Sequence, residues 1–385
     1  MTEIHVSSSV LQWALQRSGR ASKIQYKFPK ITEWLEGKSY PTMRQLEALA
    51  NATLTPLGYF FLPEPPEERL PIPYFRTLGG EGTLRPSPEL LETVHMMKRR
   101  QAWMREYLVE QGHEPLPFVG SAKSTDDPRE VAREIRATLG LREGWASGQR
   151  TWTAALRMLQ NSAEDIGIIL VVNGVVGNNT HHRLDVAEFR GFVLVDEYAP
   201  LIFINGADGK AAQMFTLAHE LAHVWLGNSA AFDLRELQPA ADRNEQACNQ
   251  VAAEFLVPAD DLYRIWPLVR ADPDRFQQVA RLFKVSELAA ARRALDLGLI
   301  PRDEFREFYQ TYQERQNVSI VRPNEGGDFY AMQNLRVGRR FAEAVVRAVK
   351  EGRLLYREAY QLTGLYGKAF ARYAQLVSSG EMPQL

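Results

Sequence analysis

Two histidines four residues apart, with a glutamate directly after the first, stand in the stretch Met214–Gly227, MFTLAHELAHVWLG. They are His219, Glu220 and His223. A helix advances about 3.6 residues per turn, so residues i and i+4 share a face. On a helix, His219 and His223 would present two imidazoles to a single ion. Glu220 would reach a metal-bound water without itself being a ligand. Two histidines, a nearby carboxylate and an open position are what catalytic zinc requires. The pattern predicts a buried helix packed through Phe215, Leu217, Leu221, Val224, Trp225 and Leu226, with Gly227 as its stop. The other five of the seven histidines, His5, His95, His113, His181 and His182, lie elsewhere, so the pair does not follow from a His-rich composition.

Zinc needs a third protein ligand. The segment Asp242–Pro258 reads as a helix stopped by Pro258, with an apolar stripe through Ala247, Val251 and Phe255. Glu245 lies on an early turn, where it can point toward the histidine pair. Glu254 and Asp242 are its competitors, and a solvated helix face is the ordinary fate of a glutamate. Cys248, the single cysteine, sits in the apolar pattern of this helix and reads as a packing residue.

The runs FTLAHELAH and EQACNQVAAEFLVP resemble the ImmA/IrrE family of bacterial and phage metallopeptidases. So do the upstream runs Glu188–Asp196 and Ala199–Asp208. The chain as a whole resembles the longer branch of that family, which carries an N-terminal helix-turn-helix of the Xre class. The resemblance implies that His219, His223 and Glu245 bind zinc and that Glu220 is the general base. It also implies a substrate that is a DNA-binding repressor or another partner protein.

The elements around these residues must position them. Ile166–Val172 reads as a buried strand, and Phe192–Val195 and Leu201–Ile204 as two more, joined through Asp196–Pro200 as an antiparallel hairpin. A small sheet packed on the histidine-bearing helix is the layout of a zincin. Its edge strand pairs with an extended substrate, and Phe189–Phe192 is the expected edge. Arg190 is expected to pair with Asp185 or Glu188, with contact to an extended substrate as the alternative. Asn178–Arg183 reads as a polar loop in which His181 or His182 could meet a substrate carbonyl, although a solvated loop is the simpler reading. Glu325–Tyr330 reads as a turn, and Tyr330 is a candidate oxyanion donor if this region folds over the site.

The 385 residues, 45% hydrophobic and 24% charged, suit a soluble protein of two or three domains. A net charge of −1 favours neither nucleic acid nor membrane overall. A single cysteine excludes an intrachain disulfide. The N-terminus lacks a signal-peptide pattern, and no run of about 18 apolar residues offers a membrane span. A cytoplasmic location is therefore expected.

Residues 1–62 read as short helices in which Trp34, Gly37, Pro41, Leu46 and Ala50 match the Xre-like helix-turn-helix. Seven lysines and arginines stand against four acids there, a mild basic bias that suits double-stranded DNA. The second helix, from Ala21 to Phe28, is short and runs into Pro29, which weakens base readout and leaves packing or dimerisation as the competing role. A Pro-rich connector spans 63–86. The metallopeptidase domain is expected over 87–270, where Met96, Met97, Trp103, Met104 and Tyr107 form a core stripe. A helical C-terminal region follows over 271–385, with a helical pair at Phe341–Leu355 and Ala359–Leu376.

The expected fold class is α+β: a helical N-terminal domain, a zincin-like domain with a small sheet, and a helical C-terminal region. The expected function is that of a zinc-dependent endopeptidase cutting a repressor or toxin-like partner. The competing reading is a DNA-binding regulator or antitoxin whose peptidase-like domain holds its partner.

Overall fold

The computed structural model describes residues 3–68, 70, 86–228, 230–232, 242–318 and 329–381. In chain order the first helices are α1 (Ser8–Arg17), α2 (Ala21–Lys27), α3 (Ile31–Leu35) and α4 (Met43–Thr53), then α5 (Pro88–Glu110), α6 (Pro128–Thr138) and α7 (Trp152–Asp165). Strands β1 (Ile169–Asn173), β2 (Val175–Val176), β3 (Asn179–Arg183), β4 (Gly191–Leu194) and β5 (Leu201–Asn205) follow. Then come α8 (Lys210–Leu226), β6 (Ala230–Phe232), α9 (Arg243–Leu256), α10 (Ala259–Val269), α11 (Arg275–Phe283), α12 (Glu287–Asp296) and α13 (Arg302–Val318). The last four helices are α14 (Phe329–Val337), α15 (Arg339–Lys350), α16 (Tyr356–Thr363) and α17 (Gly367–Ser379). The architecture is α+β. Among the described residues no helix is long and apolar enough to cross a membrane.

The chain divides into two compact units. The first comprises Met1–Pro71, Leu78–Met96 and Asn179–Leu184. Its core joins Val10, Leu11 and Leu15 of α1 to Ile24, Ile31, Trp34, Leu46 and Leu49. Thus Trp34 and Leu46, which carry the helix-turn-helix resemblance, are core residues. Helix α4 begins with a capping box, in which Gln45 accepts the Thr42 N–H at 2.9 Å and Thr42 accepts the Gln45 N–H. The expected polar loop at 178–183 contains strand β3. His182 is buried there, its Nδ1 3.0 Å from Glu89, which also pairs with Arg20 at 2.9 Å. His182 therefore has a structural partner, and His181 offers its carbonyl to Arg20 at 2.7 Å.

The second unit comprises Ile72–Thr77, Met97–Asn178 and Asp185–Leu385. Its sheet has the order β1-β5-β4-β6. The β4–β5 pair is the antiparallel hairpin expected from the sequence, with Phe192 opposite Phe203. Strand β1 runs parallel to β5, and Leu170 lies opposite Ile202. These three strands are buried along their lengths, which is why they read as unbroken apolar runs. The edge assignment needs correction. Strand β4 lies between β5 and β6, with Gly191 opposite Phe232 and Val193 opposite Ala230, so Phe189–Phe192 forms no edge. Three residues after α8 return to the sheet, a segment too short to register as a strand in a sequence pattern. Arg190 pairs with Asp208 at 2.8 Å.

Helix α8 packs on β4 and β5, and α9 packs on α8. Both helices are fixed at their ends. Gly227 closes α8 in the left-handed conformation, at φ +72°, which an L side chain resists. The last carbonyls of α8 accept from a separate segment: Gly120 N–H reaches Val224 O at 3.0 Å and Ala122 N–H reaches Trp225 O at 2.9 Å. Asp242 caps α9 by accepting from Asn244 N–H at 2.8 Å and Glu245 N–H at 3.2 Å. At the other end of α9, Arg136 donates to the carbonyls of Glu254 and Phe255, at 3.0 and 3.2 Å.

Helices α14 and α15 pack on β1. The junction between them is Gly338, where a Cβ would stand 2.7 Å from the Leu170 carbonyl oxygen, so only glycine admits this approach. Arg100 of α5 is buried, and its donors go to helix ends: Nε to Leu362 O and Nη1 to Arg336 O, each at 2.8 Å. The partial negative charge at the C-termini of α14 and α16 offsets the cost of burying this cation. Burial still pulls its guanidinium down to about 10.

Candidate metal centre

The i, i+4 spacing on α8 brings His219 and His223 onto one face, with their Nε2 atoms 3.0 Å apart. Glu245, held by the cap on the first turn of α9, completes the group. One carboxylate oxygen is 3.2 Å from His219 Nε2 and the other 3.1 Å from His223 Nε2. All three residues are buried, and their ligand atoms lie within 4.8 Å of one another. A tetrahedral zinc with bonds of about 2.0–2.1 Å separates its ligand atoms by about 3.3 Å, close to this spacing. The chemistry of the donors points the same way. Two neutral imidazoles directing ring nitrogens at each other and at one carboxylate leave a surplus of acceptors that a cation satisfies. The residues present therefore fit a zinc ion.

The electrostatics agree. Burial pulls the His219 imidazole down to about 4, so the ring is neutral over the ordinary pH range, the form that ligates. Burial pushes the Glu245 carboxyl upward, but hydrogen bonds from His219 and His223 outweigh it and hold the group below the usual carboxylate range. Glu220 is fully buried, and neither of its oxygens meets a partner among the described residues. Burial, with the nearby charge of Glu245 added, raises its carboxyl well above the ordinary value. A carboxyl raised in this way takes up a proton readily near neutral pH, as a general base must.

Helix α9 also separates the competitors for the third ligand. Asp242 is spent as the N-cap. Glu254, nearly three turns further on, forms a buried ion pair with Arg293 and accepts the Ala259 N–H at 3.2 Å. Cys248 is buried, and burial pushes its thiol up, consistent with packing rather than nucleophilic chemistry. Tyr330 opens α14, which packs on β1, and β5 lies between that strand and β4. Three residues near the centre carried no recognised sequence signal. Asn249, one turn after Glu245, favours the protonated form of His219, against the effect of burial. Thr216, one turn before Glu220, is fully buried. Gly191 of β4 faces both Thr216 and Glu220. The helical spacing of Thr216 and Asn249 to the motif residues was readable, but their proximity to the site was not.

Residues 163–295 match the model of the IrrE N-terminal-like domain, Peptidase_M78. That range contains His219, Glu220, His223 and Glu245, so the match covers the whole candidate centre and supports the ImmA/IrrE resemblance. Residues 337–375, within α14–α17, match a domain of unknown function, DUF8813. No curated protein matches the chain. Neither family match reaches residues 1–62.

Proposed function

We propose that this chain is a zinc-dependent endopeptidase that cuts a repressor or toxin-like partner protein. The observation that carries the reading is the convergence of His219, His223 and Glu245 on one point, with the unpartnered Glu220 carboxylate beside it. Zinc, when bound, would supply Lewis-acid activation of a water and of the scissile carbonyl. His219, His223 and Glu245 would hold the ion and leave a fourth position open. Glu220 would accept a proton as water attacks the peptide carbonyl, then deliver it to the departing amine. Burial of the centre restricts water around these charges and strengthens the field they exert.

The experiment is co-expression of the full chain with the products of adjacent genes, wild type against Glu220→Gln, read by mass spectrometry for new termini. Loss of a general base costs about 10²–10⁴-fold in rate. Cleavage should therefore nearly vanish in Glu220→Gln, while zinc and partner binding persist and the intact partner is trapped. A partner left whole by both forms, yet neutralised or repressed equally by both, would overturn the peptidase reading.

The competing reading, a DNA-binding regulator or antitoxin acting through residues 1–62, rests on a separate observation. Lys23, Tyr26 and Lys27 of α2, and Lys30 after it, are exposed side by side, with Tyr26 at 91%. Cations so placed suit contact with DNA phosphates, and such binding would weaken steeply with salt. A gel shift on the upstream region at low salt tests it.

A further inference from the structure

Glu220 must sit with its carboxylate free yet fixed in direction. Since both of its oxygens lack partners among the described residues, its own hydrogen bonds do not fix it. The shape of its surroundings must do so, and β4 supplies one wall. Gly191 is buried and is paired on both sides, to Ile204 of β5 and Phe232 of β6. The two ladders pin its backbone, so this point of the chain cannot retreat from α8. A Cβ at Gly191 would stand 2.5 Å from Thr216 Cγ2, 2.9 Å from Phe203 O and 3.2 Å from Glu220 Oε1. Thr216 and Glu220 are four residues apart on α8, so the Thr216 methyl and the Glu220 carboxylate lie one above the other along the line where Gly191 crosses the helix.

We propose that Gly191 is a positioning residue for Glu220: its bare backbone leaves the space in which the base carboxylate rests, and the Thr216 methyl closes that space from below. The inference rests on the reading of Glu220 as the general base. A methyl at position 191 presses on Thr216 Cγ2, on the Phe203 carbonyl oxygen and on Glu220 Oε1, and at 3.2 Å the carboxylate must give by a few tenths of an ångström. None of His219, His223 and Glu245 is among the three atoms nearest to that Cβ. The effect is therefore on the aim of the base and not on metal binding.

The test uses the zinc-loaded full chain and acetohydroxamic acid, a small chelator of zinc whose hydroxyl also hydrogen-bonds a neighbouring carboxylate. Zinc content, thermal stability and acetohydroxamate affinity are measured for wild type, Glu220→Gln, Gly191→Ala and the double variant Gly191→Ala/Thr216→Ser. Serine removes the methyl carbon that stands closest to the new Cβ, but leaves the contact with Glu220. Gly191→Ala is expected to keep its zinc, lose stability and bind acetohydroxamate about tenfold more weakly, since small misplacements of a reacting group are costly. The double variant should regain part of the lost stability, since the contact with Phe203 O remains, without regaining affinity. Recovery of both would reduce Gly191 to a packing residue, and an unchanged affinity in Gly191→Ala would also overturn the inference. Should Gly191→Ala fail to fold, the double variant carries the comparison alone. Wild-type affinity in Glu220→Gln would instead overturn the role of Glu220 on which the inference stands.

Discussion

Two glutamates nine residues apart on α9 are assigned opposite tasks, and exchanging each for glutamine separates them. Glu254 is paired with Arg293, with both side chains about 90% buried, 9% and 10% exposed. Removing one member of a buried ion pair costs about 3–5 kcal/mol, because the remaining charge stays desolvated. Glutamine keeps the acceptor for the Ala259 N–H, and the Arg293 Nε still donates to Val257 O at 2.9 Å. The lower figure therefore applies, about 3 kcal/mol. For a unit of this size that is a fall of about 6 °C in Tm, at roughly 2 °C per kcal/mol. Zinc content should not change. Glu245→Gln should behave in reverse. Disturbing even an outer partner of a metal site weakens affinity about 10–100-fold, so replacing a ligand should cost at least about 100-fold. At free zinc 100 times the wild-type Kd, the metal contributes about 2.7 kcal/mol to stability, falling to about 0.4 kcal/mol after a 100-fold loss. The assay is urea unfolding with and without chelator, alongside elemental analysis. Chelator should destabilise wild type and Glu254→Gln by similar amounts and leave Glu245→Gln almost untouched. Zinc lost from Glu254→Gln and retained by Glu245→Gln would refute the assignment.

Two further outcomes are expected. Burial pushes the Glu164 carboxyl of α7 up to about 7, from an ordinary 4.5. The folded state thus holds its proton more tightly than the unfolded chain, and the associated stability is fully present below about pH 4.5 and is lost as pH rises through about 7. Glu164→Gln should flatten that part of the stability–pH profile, and an unchanged slope would exclude Glu164 as its source. Arg100→Met should leave the carbonyls of Arg336 and Leu362 without their donors, at a cost of about 2 kcal/mol in urea unfolding; unchanged stability would count against the capping role.

The site was legible where chemistry and period coincide. Helix α8 could be read because histidines at i and i+4 stand inside an apolar helical pattern, and α9 because a proline stops its apolar stripe. The β4–β5 hairpin followed from two apolar runs around Asp196–Pro200. The convergence of Glu245 on the histidines depends on how α9 crosses α8, which no local pattern encodes. Strand β6 escaped because its pairing is set by β4, far from it in sequence, and this omission made Phe189–Phe192 look like an edge. Gly191 was visible as a residue but not as a space, since its meaning lies in the backbone and side chains that press on it. His182 was read with the solvated side chains of a loop because Glu89, its partner, is 93 residues away.

The packing of α14 and α15 against β1 bears on how the segment that carries the candidate metal centre can be passed between proteins. The match to the IrrE N-terminal-like domain model ends at residue 295, yet the outer strand of the sheet packs against helices that begin at Phe329. A lineage that acquired only residues 163–295 would inherit the metal ligands together with a bare apolar strand, Ile169–Val172, open to association with other sheets. Transfer of the chemistry between hosts requires that the recipient already own, or evolve, a substitute cover for β1. That requirement would leave the catalytic segment recognisable across relatives while the helices that shield it diverge freely.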